Sequence, residues 1–485
     1  MPILNIRLTL LFIVICSFCA SRTSLREQVL LNAYRKIERL SLRSPSSQDL
    51  FEGAMEGMTQ KLRKKFNDPY TYFENAENQR DINNQLENKL VGIGVSMEWT
   101  REHSVLLYPL PNSPALRAGV QYGDKLLKVE GEETAGLSVS EIGVRIKGDA
   151  GKPVVLTVQH PGEEEPVDLR IVRESQQLPT VTGDSLRQDG RWNFTLETNP
   201  DIGYVHLRDS FGRETVPELT AALEELNRNR SVKGLILDIR GNPGGYLDSA
   251  VDVCRLFLSE GTIVTVKRRD GSVKKTFSAA GDTVLWTKPM VVMVNGESAS
   301  ASEIVAACLQ DHYRAFVVGE RSYGKGTVQE IFDFPMKLGT LRLTDAEYWR
   351  PSGKNINRFA EFTEQDTWGV LPSEGGSVPV SKNQEFLIAR IRKLRSLIPE
   401  GKREANVEEL LKRVEKPGDL FNEAEEPEED SDAEEKSGKS PVEETKDKPE
   451  KSGSQEKKSF VPEGTAPYYD PQLIRAIEVL RKNLT

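Results

Sequence analysis

Between residues 24 and 73 apolar side chains recur three and four positions apart (Val29, Leu30, Ala33, Tyr34, Ile37, Leu40) among Arg, Lys and Glu, with a break at Ser44-Pro45-Ser46-Ser47. That spacing predicts a helical arm. From Val91 to Val172 the pattern shortens to strand-like runs at 91–97, 104–110, 126–129, 154–158 and 169–172, with brief helical stretches near Ala115 and Ile142. It predicts a β-rich module with two small helices. Beyond Ile202 strands and helices alternate: a strand at 202–207, a helix carrying Val216, Leu219, Ala222, Leu223 and Leu226, a run at 235–239 that reads as a buried strand, a helix at 249–258, and a strand at 262–266. A strand at 290–294, a helix after Ser300 and a strand at 315–318 come next. Near-continuous apolar strands between amphipathic helices predict an α/β core with a covered sheet. Residues 419–458 hold too few apolar side chains to offset their ordering entropy and predict a disordered acidic linker. After it, D470-P-Q-L-I-R-A-I-E-V-L480 regains a helical pattern, with Asp470 placed as cap and Pro471 at the first helical position.

Composition sharpens this picture in two places. The chain has 485 residues, 37% of them hydrophobic and 29% charged, enough for more than one core and too polar for a multi-span membrane protein. Its formal net charge is −9, and the 15 acidic and 7 basic residues of 419–458 account for nearly all of it. The rest is close to neutral, which argues against a nucleic-acid binder that works through a basic face. An apolar run at 8–20 follows Arg7 and ends in small residues. This is the layout of a secretory signal peptide cleaved near residue 20; an uncleaved anchor is the other reading, although about 13 residues is short for a bilayer core of ~30 Å. Export to a bacterial periplasm or cell envelope is the simplest destination. Cys254 and Cys308 sit among apolar residues and predict core thiols, and four histidines show no metal-ligand spacing, so no metal or other cofactor is expected.

Three clusters carry candidate chemistry. In N295-G-E-S-A-S-A-S-E303 a strand end runs through small residues into a helix, where a hydroxyl can stand beside the first free helical N–H groups, as a nucleophile next to an oxyanion site requires. Ser300 with Glu303 equally fits a capping box, and the residues alone favour that reading. G319-E-R-S-Y-G-K-G326 nearly spells a phosphate-binding loop, but Gly326 stands where the magnesium-binding hydroxyl belongs. Residues 327–332 alternate like a strand where the phosphate-binding helix should start, so no nucleotide is expected. L237-D-I-R-G-N-P-G-G245 is a buried strand ending in a glycine turn, either an oxyanion site or a plain tight turn.

A nucleophile at Ser300 needs a base. His312 lies 12 residues along the same helix, roughly 18 Å away at ~1.5 Å per residue, and cannot reach it. His103, His160 and His206 fall in other strands. Lys325 remains, and it serves as a base only when neutral. Lowering its pKa from ~10.4 to about 7.5 costs about 4 kcal/mol of differential solvation, which burial must supply, with a neighbour such as Gln329 to orient the amine.

Taken together the residues resemble the carboxyl-terminal processing proteases, S41 family serine peptidases with a PDZ domain. D68-P-Y-T-Y-F73 resembles the family's signature ahead of the PDZ domain, V91-G-I-G-V95 its peptide-receiving loop, and S113-P-A-L-R-A-G-V-Q-Y-G-D124 its PDZ stretch. The clusters at 237–245, 298–303 and 323–326 match three protease motifs in order. The resemblance implies a multidomain protein: signal peptide 1–21, helical N-terminal region 22–80, PDZ domain 85–175, ClpP/crotonase-like α/β protease core 180–385, helical C-terminal region 386–417, disordered acidic linker 418–460 and C-terminal helix 461–485. It implies a Ser-Lys dyad of Ser300 and Lys325 with Gln329 orienting the lysine. An oxyanion site at Ala301 with Gly244 or Gly245, and capture of substrate C-termini at Gly92, Ile93, Gly94 and Val95, are implied in the same way. Asp311 takes a supporting place. Expected partners are proteins or peptides with free C-termini, with an adaptor or homo-oligomer left open; nucleic acid and nucleotide are not expected. Two departures bear on the C-terminal region: G369-V-L-P-S373 replaces the usual G-I-x-P-D, and the acidic stretch precedes the last helix. The alternative function is a non-catalytic PDZ scaffold on a protease-like core.

Overall fold

A computed structural model of the chain describes residues 24–75, 89–99, 104–400 and 470–484. The signal segment and the acidic linker lie outside these residues. No helix among the described residues is long and apolar enough to cross a membrane.

The arm consists of α1 (Leu25–Leu40) and α2 (Ser47–Phe66), each opened by a capping box, Ser24 with Glu27 and Ser46 with Asp49. Asn67, in the left-handed region at φ 48°, stops α2. The chain then leaves the helical pattern: Tyr72–Glu74 is a strand, paired antiparallel with Thr340–Arg342 of the α/β core. The end of the segment read as arm is therefore physically part of the core.

The next module is a five-strand antiparallel path, Val95–Trp99, Val105–Pro109, Asp124–Val129, Pro153–Gln159 and Val167–Val172, with α3 (Pro114–Arg117) and α4 (Val139–Ile146). Its core is Ile93, Leu107, Leu126, Ile142, Leu156 and Ile171 with their neighbours. Val95–Trp99 is an edge strand, and the run read as 91–97 is broken at Ile93-Gly94, so that Lys89–Gly92 pairs with Glu174–Gln177 instead.

The α/β core has two sheets. One carries four parallel strands in the order Asn199–Leu207, Gly234–Asp238, Met290–Val294 and Phe316–Gly319. On one face pack α5 (Thr215–Arg228), α6 (Leu247–Arg255) and α7 (Ala301–Asp311), whose Leu219, Leu223, Leu226, Val253, Val305 and Leu309 are buried. The second sheet is antiparallel and joins Glu260–Arg268 to Val273–Ala280 and Thr340–Trp349, with Thr327–Asp333 on the latter. The strand read at 262–266 thus belongs to this sheet and not to the parallel one. After the core come α8 (Lys382–Leu397) and α9 (Pro471–Lys482). Asp470 caps α9 through the N–H groups of Gln472 and Leu473, and Ala476, Val479 and Leu480 cover the other face of the parallel sheet against Ile236, Val291 and Val318.

Candidate active site

The site lies at the carboxyl ends of the parallel strands, where three turns meet. The turn after Met290–Val294 leads through Asn295 to Ser300, which has φ 56° and ψ −113° and makes no side-chain capping hydrogen bond. Only 9% of Ser300 is exposed. A non-glycine residue at positive φ is strained, and here the surroundings hold it there. Ser298 donates to the Ile239 carbonyl at 2.9 Å, and Ser302 donates to the Asn242 carbonyl at 2.8 Å. The Ala299 N–H reaches the same Asn242 carbonyl.

The glycine turn after Gly234–Asp238 closes on this elbow. A Cβ on Gly244, at φ 110°, would stand 2.7 Å from Ser300 Cβ, so only glycine fits. The Gly244 N–H already donates to Asn242 Oδ1 at 2.9 Å. Behind the turn, buried Arg240 binds Asp238 at 2.7 Å and Asp470 of the α9 cap at 2.9 Å. Burial works to raise the pKa of Asp238, but Arg240 and Arg392 outweigh it and hold the carboxyl well below its usual range.

The third turn carries Lys325, and Glu303 fastens it to the elbow. Glu303, fully buried in the first turn of α7, accepts the Ser300 N–H and the Lys325 N–H on one oxygen, each at 2.8 Å. The two nitrogens therefore lie within twice that distance of each other. The other oxygen accepts the Ser322 hydroxyl and the Gly324 N–H, both at 2.6 Å. Burial pushes the Glu303 pKa up to about 7 against these hydrogen bonds. Burial likewise lowers Lys325, with Glu303 acting the other way and Arg342 adding to the lowering. Val370 donates to Ser322 Oγ at 2.7 Å, so the departing G369-V-L-P-S373 segment still supports the lysine turn.

Lys325 Nζ sits over the Tyr70 ring, 4.3 Å from its centre. Neither Ser300 nor Gln329 is a hydrogen-bond partner of that amine: Gln329 donates to Thr327 Oγ1 at 2.9 Å and Thr344 Oγ1 at 3.3 Å. Thr344 in turn donates to Asp68 at 3.1 Å, so the D68-P-Y-T-Y-F73 signature borders the site. Sequence reasoning noted Glu303 only as a cap, and Tyr70 and Asp68 only as signature letters. Asp311 holds Arg350 at 2.6 Å and the Ser352 N–H, at the far end of α7. His312 caps that end, His160 pairs with Asp124 at 2.7 Å, and buried His206 lies 3.4 Å from Thr182 Oγ1. Cys254 and Cys308 are free and buried in the core.

In the smaller module, the Ile93 carbonyl accepts the Ala115 N–H and the Gly94 carbonyl the Leu110 N–H, both at 2.9 Å. Gln176 donates to the Gly92 carbonyl at 3.3 Å. Gly94 has φ 73°, and a Cβ there would meet Ser113 Cβ at 2.5 Å. Val95 opens the edge strand, beside which α4 packs.

Comparison with known proteins bears on this arrangement. Residues 201–362 match peptidase family S41, and residues 106–160 match the PDZ domain. A carboxy-terminal-processing protease of Bartonella bacilliformis is 36% identical over 64% of this chain and 68% of its own length. The chain belongs to the carboxy-terminal processing proteases of peptidase family S41. It is a serine-type peptidase with a PDZ domain. A carboxyl-terminal-processing protease of Picosynechococcus sp. is 32% identical over 63% of this chain and 69% of its own. Among solved structures, the photosystem II D1 C-terminal processing protease aligns over 77% of this chain and 98% of its own, at 24% identity and a TM-score of 0.42.

Proposed function

We propose that this processing protease cleaves peptide bonds of exported proteins through a Ser300–Lys325 dyad, and that its PDZ domain selects them by their C-terminal tails. The observation that carries the reading is Glu303, one buried carboxylate tying the strained serine to the lysine turn. Neutral Lys325, favoured by burial, takes the Ser300 proton as Oγ attacks the carbonyl. The oxyanion forms beside the Ala301 N–H, and the lysine returns its proton to the departing amine. Water then releases the acyl-enzyme by the same route. Gly244 has its N–H committed to Asn242, so the second oxyanion donor is Gly245. Gln329, its NH2 held by Thr327 and Thr344, has Oε1 left to accept from the amine once the lysine side chain turns from the Tyr70 ring toward Ser300.

A substrate tail adds to the free edge of Val95–Trp99, its carboxylate caught by N–H groups between Gly92 and Val95. An unstructured protein such as casein, incubated with the full chain, is expected to be cut, and the rate is expected to fall about 10⁴-fold or more in Ser300→Ala and in Lys325→Ala. Equal cleavage by parent and Ser300→Ala would reject the dyad. Absence of cleavage by all three, with tail peptides still bound, would favour the scaffold reading. Amidating the terminal carboxylate of a bound peptide is expected to weaken binding at least about tenfold, measured by fluorescence anisotropy.

A further inference from the structure

The signature segment between the arm and the PDZ domain puts an aromatic face under the lysine. Tyr70 is half-buried, its hydroxyl is hydrogen-bonded to Tyr323 one turn position before Gly324-Lys325, and the Lys325 ammonium rests 4.3 Å from its ring centre. Tyr70 follows Asp68, which is locked in place by Thr71 at 2.6 Å and by Thr344 at 3.1 Å. The ring is therefore a fixed surface, anchored to the same Thr344 that holds Gln329. A ring face attracts an ammonium and offers little to a neutral amine.

We propose that Tyr70 is a positioning residue for Lys325, holding the ammonium against its ring so that the amine turns toward Ser300 as it gives up its proton. This rests on the Ser300–Lys325 reading. The ring opposes burial: burial favours the neutral lysine, and the ring face favours the charged one. The other groups facing this pair are Glu303 from α7, Arg342 from the neighbouring strand, Tyr323 from the lysine's own turn and Asp68 from the signature. Arg342 disfavours the ammonium and Glu303 favours it. All four remain when Tyr70 alone is changed, so a comparison of Tyr70 variants isolates the ring.

The test uses the full chain carrying Ser300→Ala, which prevents self-digestion. The rate of Lys325 acetylation by limiting acetic anhydride, followed by peptide mass spectrometry across pH, gives the midpoint at which this amine becomes neutral. Tyr70→Leu is expected to lower the midpoint by roughly half a unit to one and a half units, whereas Tyr70→Phe, which keeps the ring, stays within about 0.3 units. In the chain with Ser300 restored, the acid limb of kcat/KM for casein is expected to move down with the Leu midpoint and to stay with Phe. A Leu midpoint equal to that of the parent, or a Phe shift as large as the Leu shift, overturns the proposal. Circular dichroism checks folding, and Tyr70→Met carries the same comparison if the Leu variant does not fold. Casein cleavage that survives Ser300→Ala overturns the dyad instead, and the labelling midpoint then decides the Tyr70 contact by itself.

Discussion

Both oxygens of Glu303 are fully occupied, one by the N–H groups of Ser300 and Lys325, the other by the Ser322 hydroxyl and the Gly324 N–H. A proton on this carboxyl has to sit toward Ser322, whose hydroxyl can turn round, because the other three partners are backbone donors. With the pKa pushed up from 4.5 to about 7 by burial, the folded protein holds that proton where the unfolded chain has lost it. The stability this group contributes is therefore complete below about 4.5 and is lost as pH rises through about 7. Urea titrations between pH 4.5 and 8 are expected to show this decline in the parent and a shallower one in Glu303→Gln. In that variant an amide NH2 confronts the Gly324 N–H, so about 1–3 kcal/mol of stability is expected to go, with a fall in kcat as the lysine turn loosens. A kcat within twofold of the parent would show that the turn holds its place without the carboxylate. Ser300 and Glu303 are readable in the chain as a capping box three residues apart. What is not readable is that the glutamate's other partners lie 19, 21 and 22 residues further on, or that Ser300 is held at positive φ, since both depend on how separate turns meet.

At the scale of elements, α8 and α9 are joined to the site by charge. Along α8, Arg390 reaches Glu98 of the PDZ edge strand at 3.1 Å, Arg392 reaches Asp238 at 3.2 Å, and Arg395 reaches Asp184 at 2.7 Å. Leu394 and Leu397 pack with Tyr108 of the PDZ sheet. One helix thus touches both the PDZ domain and the strand that leads into the glycine turn. On α9, Asp470 is both a cap and the partner of buried Arg240. Asp470→Ala removes both functions and is expected to cost about 3 kcal/mol or more, because it leaves a buried guanidinium short of one carboxylate. Asp470→Asn keeps the cap and should retain part of that loss, as thermal unfolding of the two variants would measure. Equal unfolding temperatures for Asp470→Ala and the parent would mean that Asp238 and the Gln472 side chain together satisfy Arg240. The sequence made α9 legible down to its cap, because Asp470-Pro471 and the apolar spacing are local signals. It did not reveal the Val273–Ala280 and Thr340–Trp349 strands, whose half-exposed faces carry Lys, Arg and Glu and blur the alternation. Nor did it assign the strand at 262–266 to its sheet, since an apolar run specifies a strand but not its neighbour.

Across the whole molecule, the chain's first described strand and its last helix both belong to the protease core. Tyr72–Glu74 adds to Thr340–Arg342, and α9 covers a face of the parallel sheet. The order of domains along the sequence was legible from changes in hydrophobic period, but this closure was not, because pairing between distant segments leaves no local trace. Arg240 and Asp470 are 230 residues apart, and residues 401–469 lie between α8 and α9. Closing so long a loop costs only slowly growing entropy, yet it cannot happen before its second end exists. A chain delivered from its N-terminus presents α9 after every other described element of the core. Until then Ile236, Val291 and Val318 have no helical cover, and Arg240 has no α9 carboxylate. A chain ending before residue 470 is expected to bind a hydrophobic dye and to cut casein poorly beside the full chain. The order of synthesis thereby sets a clock on the fold: Arg240, behind the glycine turn, gains its second carboxylate only once the segment 470–482 has been made.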